Sequence, residues 1–237
     1  MQRYFTTQKV DNYFILCKDD EYHIKRVMRM KDKDEIEVVY NGEVHLCSLE
    51  NSGEHLKANI LKKLDSKITC TPKLVLIIPF LKEAKMDFIF QKGTELGIRE
   101  FIVVPTERSI VKVEEKKEAS KVERWSRICK EAAEQSMQVL IPSVRIERKI
   151  ETLENLVGIK LLCSTQEKEK TIKKILKNVG ICDTINLMIG PEGGFSSNEE
   201  IYFEKKGFTK VSLGTSIMRV ETVPIFLSSI IRYEYME

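Results

Sequence analysis

Gly190-Pro191-Glu192-Gly193-Gly194 follows the short apolar run Leu187-Met188-Ile189 and leads through Phe195 into Ser196-x-x-Glu199. That last spacing is a capping box, in which the two side chains satisfy free N–H groups at a helix start. The stretch therefore predicts strand, tight loop, helix. Loops of this kind, at the carboxyl end of a strand, are where open α/β proteins bind ligands. Gly193 and Gly194 admit backbone angles and close approaches that a side chain blocks. The chemistry is not that of a phosphate loop, because the Gly-Lys-[Ser/Thr] ending is missing and Glu192 repels phosphate. No Gly-x-Gly-x-x-Gly follows the first strand, so a dinucleotide site is unsupported. A cationic or neutral ligand fits these residues better.

A second segment has the same design. Val211-Ser212-Leu213-Gly214 places another glycine after another short strand, 24 residues beyond Gly190, and a helix begins near Glu221. Either loop alone also reads as a connecting turn, but two of them can face each other across one pocket. Arg219 and Glu221 lie beside the second loop and bring a cation and a candidate base. Glu221 also reads as an acid favoured at a helix N-terminus by the helix dipole.

Other chemistries are harder to build. The three histidines, His23, His45 and His55, lie in the first quarter of the chain. The remainder cannot make a histidine zinc site or a Ser-His-Asp triad by itself. Six cysteines at 17, 47, 70, 129, 163 and 182 form no Cys-x-x-Cys and read as small buried apolar residues. No metal site is expected. No apolar run approaches the roughly 18 residues of a membrane span, and Met1-Gln2-Arg3-Tyr4-Phe5-Thr6 lacks a signal-peptide core. The expectation is a cytoplasmic protein with no membrane partner.

The 237 residues, 42% hydrophobic and 32% charged, support a real core and a soluble surface. The net charge of +3 decides little, but it is uneven. Between Tyr22 and Lys33 stand five bases, Lys25, Arg26, Arg29, Lys31 and Lys33, against one acid, Asp32. Such a patch suits a phosphate backbone, or is simply a solvated helix face.

Two regions position these groups. Residues 1–71 carry short alternating runs: strands at 13–17, 35–40 and 43–47, further strands near 55–61 and 67–71, and a helix over 19–30 with Ile24, Val27 and Met28 inward. Asn41-Gly42 is a hairpin turn signal. Short strands with one helix suggest a small β-barrel. Cys70-Thr71-Pro72-Lys73 marks the boundary. From 72 to 237 the pattern alternates strand and helix. Leu74–Pro79 reads as a strand buried on both faces, a helix spans 85–96 with Gly97 as its C-cap, and a strand covers 101–104. A long helix carries Val122, Trp125, Cys129, Ala132 and Ser136. A strand at 159–163, a helix at 171–177, the two glycine loops and a terminal helix follow. This is an α/β fold with a mostly parallel sheet and helices on both faces. Physical reasoning alone gives an unknotted sheet, since threaded connections are almost absent from proteins.

An ordered set of motifs resembles the bacterial 16S ribosomal RNA (uracil-N3) methyltransferases of the SPOUT class. They are Lys92-Gly93-Thr94-Glu95-Leu96-Gly97, Thr106-Glu107-Arg108-Ser109, Glu131-Ala132-Ala133-Glu134-Gln135-Ser136, Gly190 to Ser196, Ser212-Leu213-Gly214 and Arg219-x-Glu221-Thr222. His23-x-x-Arg26-Val27-x-Arg29 is a weaker match. The resemblance covers nearly the whole chain. It implies a PUA-like RNA-binding β-barrel over 1–71 and a trefoil-knotted SPOUT domain over 72–237.

The resemblance also implies S-adenosylmethionine as cofactor, held by Leu162, Ser164, Gly190, Pro191, Glu192, Gly193, Gly194, Leu213, Gly214, Ile217, Met218 and Thr222. Leu162, Leu213 and Met218 are offered as apolar walls, though each also reads as ordinary core. Arg219 and Glu221 are the expected catalytic pair. Arg3, His23, Arg26, Arg29, Lys33, Arg108 and Arg127 are the expected RNA contacts. The implied reaction is methylation of uridine N3 at position 1498 of 16S ribosomal RNA, by a homodimer acting on the small ribosomal subunit. The rival readings are a SPOUT enzyme acting on a transfer RNA base or a ribose hydroxyl, and a non-catalytic RNA-binding protein of the same fold. Two departures stand out. Phe80-Leu81-Lys82-Glu83-Ala84 replaces the Pro-Lys-Gly that precedes Lys-Met-Asp in many relatives, and Val220 and Val223 are bulkier than the family's usual Thr and Ala.

Overall fold

The structure is a computed structural model that describes residues 1–53, 55–65, 72–180 and 183–235. The strand expected at 67–71, the boundary after Thr71, and Cys70 and Cys182 lie outside the described residues. Contacts group the chain into two compact units, Met1–Ile68 with Ala133–Leu140, and Thr69–Ala132 with Ile141–Glu237.

The first unit is a curled six-stranded sheet. Its strands are β1 (Arg3–Phe5), β2 (Gln8–Val10), β3 (Tyr13–Ile15), β4 (Glu35–Tyr40), β5 (Glu43–Asn51) and β6 (Leu56–Leu64). They lie in the order β1-β4-β5-β6-β3-β2, antiparallel except for the β1–β4 pair. Alternation puts Ile36 and Val38 of β4 inside with Tyr4, Phe14, Cys47 and Ala58. Full burial of Ile36, Val38 or Phe14 contributes roughly 1.5–3 kcal/mol each. At the β4–β5 hairpin Asn41 has φ 50° and Gly42 φ 78°, the paired left-handed conformation that matches strand twist.

The helix expected over 19–30 is broken. An α-helical turn, α1 (Lys18–Tyr22), runs into a π-helical segment, His23–Val27, where Met28 N–H donates to His23 O at 2.9 Å. The wider π turn rotates later side chains away from the three-to-four spacing. Ile24 is fully buried, but Val27 and Met28 point outward, at 57% and 38% exposed. Cys17 is exposed as well, against the reading of every cysteine as buried.

The second unit is a parallel sheet of β7 (Lys73–Pro79), β8 (Ile98–Val104), β9 (Ser143–Ile146), β10 (Ile159–Cys163), β11 (Thr184–Met188) and β12 (Thr209–Val211), in the order β12-β10-β11-β7-β8-β9. Every pairing recorded among them is parallel. Strand β7 shows why it is apolar throughout. Leu74, Leu76 and Ile78 enter one core with α2 (Glu83–Glu95), α3 (Glu118–Gln135), α4 (Ile172–Leu176) and α6 (Thr222–Glu234). Val75 and Ile77 enter another with Phe195, Phe203 and Phe208 around α5 (Ser197–Lys205). On α2, Met86, Ile89, Phe90 and Gly93 are buried at helical spacing. A Cβ on Gly93 would lie 2.8 Å from Ile98 Cδ1 and 2.9 Å from Phe101 Cζ, so the glycine sets the close packing of helix on strand. Gly97, at φ 89°, ends the helix as expected. Strand β9 and the short β1 and β2 were not anticipated. Among the described residues no helix is long and apolar enough to cross a membrane.

Candidate active site

The first glycine loop leaves β11 and is closed by its own backbone, Gly194 N–H donating to Pro191 O at 2.8 Å. Gly194 sits at φ 66°, in the left-handed region that favours glycine. A Cβ on Gly190 would come within 3.1 Å of the Phe195 ring. Gly193 has ordinary room beside Arg108, at 3.5 Å, so its expected steric role is not required. The capping box is complete. Glu199 N–H donates to Ser196 Oγ at 3.1 Å, and Ser196 N–H donates to Glu199 Oε2 at 2.8 Å. The other oxygen of Glu199 accepts from Glu107 N–H at 2.8 Å.

That bond belongs to a strap the sequence did not reveal. Arg108 donates to Gly193 O at 2.8 Å and Phe195 O at 3.2 Å. The guanidinium nominated for RNA donates through Nη1 to two carbonyls of the glycine loop. We expect Arg108→Ala to weaken cofactor binding about tenfold, the cost of one to two charge-assisted hydrogen bonds, with the fold intact. Isothermal calorimetry and a thermal melt check both halves of this expectation.

Three loops meet around a cavity of about 710 Å³, within the range of ligand pockets. The first covers Cys163–Lys168, the second Ile189–Phe195, and the third Ser212–Glu221; Lys85, Arg108, Glu200 and Val223 complete the lining. The third loop is held by its neighbours. Ser164 N–H donates to Val211 O at 3.1 Å, and Ser212 N–H donates to Lys170 O at 2.8 Å. Gly214 has φ 115°, which is open to glycine and strained for any other residue.

Of the residues nominated for the cofactor, Ser164, Gly190, Pro191, Glu192, Gly193, Gly194, Leu213, Gly214, Ile217 and Met218 line this cavity. Leu213 and Met218 also pack against the core, so both readings of them hold at once. Ile217 stands at the rim, 86% exposed. Two nominees do not line it. Leu162 is buried on the α5 face, because strand alternation turns it away from Leu161's side of the sheet. Thr222 is exposed on the first turn of α6. The substituted Val220 and Val223 are buried in the core and also reach the cavity wall. Lys85, Glu200 and Ser212, and the stretch 165–168, are lining residues that sequence reasoning missed.

Arg219 and Glu221 both line the cavity. Lys85 Nζ lies 2.9 Å from Glu192 Oε1, as a hydrogen bond, and 3.0 Å from Glu221 Oε2, as an ion pair. The second contact is off the hydrogen-bond direction. Among the described residues, buried Glu221 Oε2 therefore accepts no hydrogen bond. Burial pushes the Glu221 carboxyl up, but its own backbone N–H, the Lys85 ammonium and Arg219 outweigh burial and hold it below the usual carboxylate range. Glu192 is also held low, chiefly by its bond to Lys85. Ser164 Oγ donates to Glu200 Oε1 at 2.6 Å, a carboxylate buried at the cavity wall. Burial pushes the Cys163 thiol up to about 12, which keeps it protonated and unsuited to nucleophilic work. The arrangement suits a cationic ligand among glycine backbones and apolar walls, with the carboxylates of Glu192 and Glu221 in the lining.

The residues nominated for RNA fall into two groups. Arg26, Arg29 and Lys33 are exposed in the first unit, with Arg29 at φ 55° and Lys33 at φ 73°. Arg127 is exposed on α3. Arg3 is not available as expected. It pairs with Glu37 at 2.6 Å and donates to the carbonyls of Met137 and Gln138, with only 10% of its side chain exposed. His23 Nδ1 lies 2.9 Å from Tyr4 Oη, a bond inside the unit.

Residues 69–232 match the family described as an RNA methyltransferase domain, and residues 19–61 match the RNA methyltransferase PUA domain. The chain is 31% identical to ribosomal RNA small subunit methyltransferase E of Bacillus subtilis, over 99% of this chain and 97% of the relative. It is 33% identical to the protein of the same name from Mesomycoplasma hyopneumoniae, over 96% and 97%. A crystal structure of ribosomal RNA small subunit methyltransferase E from Neisseria gonorrhoeae, bound to S-adenosyl methionine, superposes with a TM-score of 0.87 at 26% identity, covering 99% of this chain and 98% of that one.

Proposed function

The chain belongs to the ribosomal RNA small subunit methyltransferase E family, and from that premise we propose that it methylates N3 of a uridine in 16S ribosomal RNA, at position 1498, with S-adenosylmethionine as donor. The observation that carries the reading is a three-loop glycine cavity with Arg219 and Glu221 together in its wall. The residues fit the cofactor: glycine backbones can approach an adenine closely, Leu213 and Met218 offer apolar surface, and the carboxylates tolerate a sulfonium and an ammonium. When bound, the cofactor supplies an electrophilic methyl group.

Uracil N3 carries a proton at neutral pH and is a poor nucleophile. Glu221 accepts that proton. The nitrogen pair so freed forms the bond to the methyl carbon, and the carbon–sulfur pair leaves with sulfur. Arg219 stabilises the negative charge on the uracil oxygens as the proton leaves. The three loops align the reactants, which is most of the catalytic task in a direct displacement. The loop at 164–171, bonded on both sides of the 211–212 segment, supports the threaded arrangement implied by the resemblance.

N3 is on the pairing edge of the base, so the target uridine must be extruded or unpaired. The first unit grips the surrounding RNA by phosphate contacts from Arg26, Arg29 and Lys33, which position the molecule without reading sequence. Arg26→Ala with Arg29→Ala should lower RNA affinity and make the log–log salt dependence shallower by nearly two, about 0.9 per phosphate contact. Cofactor affinity should be unchanged. Binding titrations over a salt series check this, and an unaltered slope would show that the cluster is a solvated face.

The enzyme acts as a homodimer in the cytoplasm. Ile225, Phe226 and Ile230 on α6 are only partly buried, and Tyr233 is 79% exposed, which supports a subunit contact along this helix. Light scattering of the active enzyme tests it, and a fully active monomer would refute it. The substrate reading is tested by nucleoside analysis of the methylated RNA.

A further inference from the structure

We propose that Lys85 is a positioning residue of this site: its ammonium ties Glu192 of the first glycine loop to Glu221 at the start of α6, and presents Glu221 to the base as an anchored carboxylate. The inference rests on the methylation reading and deepens it.

Lys85 stands in the first turn of α2, next to buried Met86 and one turn before Ile89 and Phe90. The side chain therefore rises from a packed platform. Its Nζ reaches Glu192 at 2.9 Å and Glu221 at 3.0 Å, from two separate loops of the cavity wall. Two carboxylates converging on one site repel each other, and a single cation between them removes that conflict. A lysine suits the place better than an arginine. Its ammonium is a compact point charge, whereas a guanidinium would engage a carboxylate with both arms. The contact with Glu221 is an ion pair at 3.0 Å, so one ammonium serves both carboxylates. Lys85 thus charges and anchors Glu221 at the cavity wall.

The charged groups that meet Glu221 are Lys85 from α2, Glu192 from the first glycine loop and Arg219 from its own segment. Burial and Glu192 favour the protonated form; Lys85 and Arg219 favour the ionised one. Removing Lys85 leaves burial and Glu192 opposed by Arg219 and one backbone N–H. The carboxyl must then titrate at higher pH, and at mildly acidic pH it would enter the reaction already protonated.

The experiment uses the full chain with carbon-13 in its glutamate carboxyls. The resonance missing from Glu221→Gln identifies Glu221. Its titration midpoint should move upward in Lys85→Met and return toward the starting value in Lys85→Arg. Glu192→Gln should move it downward, since Lys85 then serves Glu221 alone. Single-turnover methyl transfer in Lys85→Met should lose about tenfold more at about pH 6 than at about pH 8.5, following the ionised fraction of the base, and Lys85→Arg should restore the profile. A Glu221 midpoint that ignores both Lys85→Met and Glu192→Gln would overturn the proposal. If Lys85→Met does not fold, the Glu192→Gln titration decides alone. The titration needs neither RNA nor cofactor, so a failure of the uridine reading would not be mistaken for a failure of this one.

Discussion

Gly214→Val is expected to reduce cofactor binding at least a hundredfold. The argument is conformational. Nothing stands within 4 Å of a Cβ placed on Gly214, so the substitution meets no wall. It meets the backbone instead, because φ is 115°. Holding a non-glycine residue in such a region costs about 1–3 kcal/mol, and a β-branched side chain stands at the upper end. The third loop relieves that strain by leaving its present path, and its path forms one wall of the cavity. Gly194→Val, at φ 66°, should act in the same direction through the second loop. Gly207→Val is the matched control. Its φ of 86° is also in the region that favours glycine, but it ends α5 and does not line the cavity. It should lower thermal stability and leave the cofactor affinity of the folded protein alone. Calorimetry on the three variants separates a shaped loop from a general loss of fold. Normal binding by Gly214→Val would mean that the third loop does not hold the cofactor.

Glu221→Gln is expected to lower the rate of methyl transfer by about 10²–10⁴, the usual range for a positioned general base. The amide keeps the shape of the side chain but cannot take up the N3 proton at neutral pH. Because the carboxyl is held below its usual range, the wild-type group is ionised near neutrality, and the loss should be nearly complete there. Arg219→Ala should cost about 10²–10³, in line with removal of one stabilising donor from a developing anion. Both variants should bind cofactor within about threefold of wild type, since the glycine backbones that line the cavity are unchanged. Single-turnover rates with saturating RNA measure the effect without interference from product release. A Glu221→Gln enzyme of normal rate would leave solvent to remove the proton, and Glu221 would then be only an acid at the helix start.

The elements readable in the chain were those written locally. β4 at Glu35–Tyr40 and β10 at Ile159–Cys163 occupy the stretches their apolar patterns mark. Asn41-Gly42 and Ser196-x-x-Glu199 name their turn and cap because each motif satisfies its own backbone within four residues. The cavity was legible to the extent that two glycine loops after two strands must open on the same sheet edge. Interactions across long separations were not legible. Lys85 meets Glu192 107 residues away, Arg108 meets Gly193 85 away, and Glu199 meets Glu107 92 away. No periodicity announces such pairs. The π turn at His23–Val27 was missed because its wider hydrogen-bond spacing leaves the composition of an ordinary helix unchanged. Leu162 and Leu161 are neighbours of identical type, and only the sheet's alternation decides which of them faces α5. Arg3 read as a phosphate contact from its charge, while the partner that removes it, Glu37, becomes adjacent only through the parallel pairing of β1 with β4.

The central claim is the chemical identity of the product, and one measurement addresses it directly. Small ribosomal subunits from cells lacking this protein are incubated with the purified enzyme and S-adenosylmethionine carrying an isotopically labelled methyl group. The RNA is digested to nucleosides and resolved by mass spectrometry against synthetic standards. The account predicts label in 3-methyluridine from 16S ribosomal RNA, at the single position 1498, with none when Glu221→Gln replaces the wild-type enzyme. Label on a ribose hydroxyl, on another base, or only in added transfer RNA would contradict it.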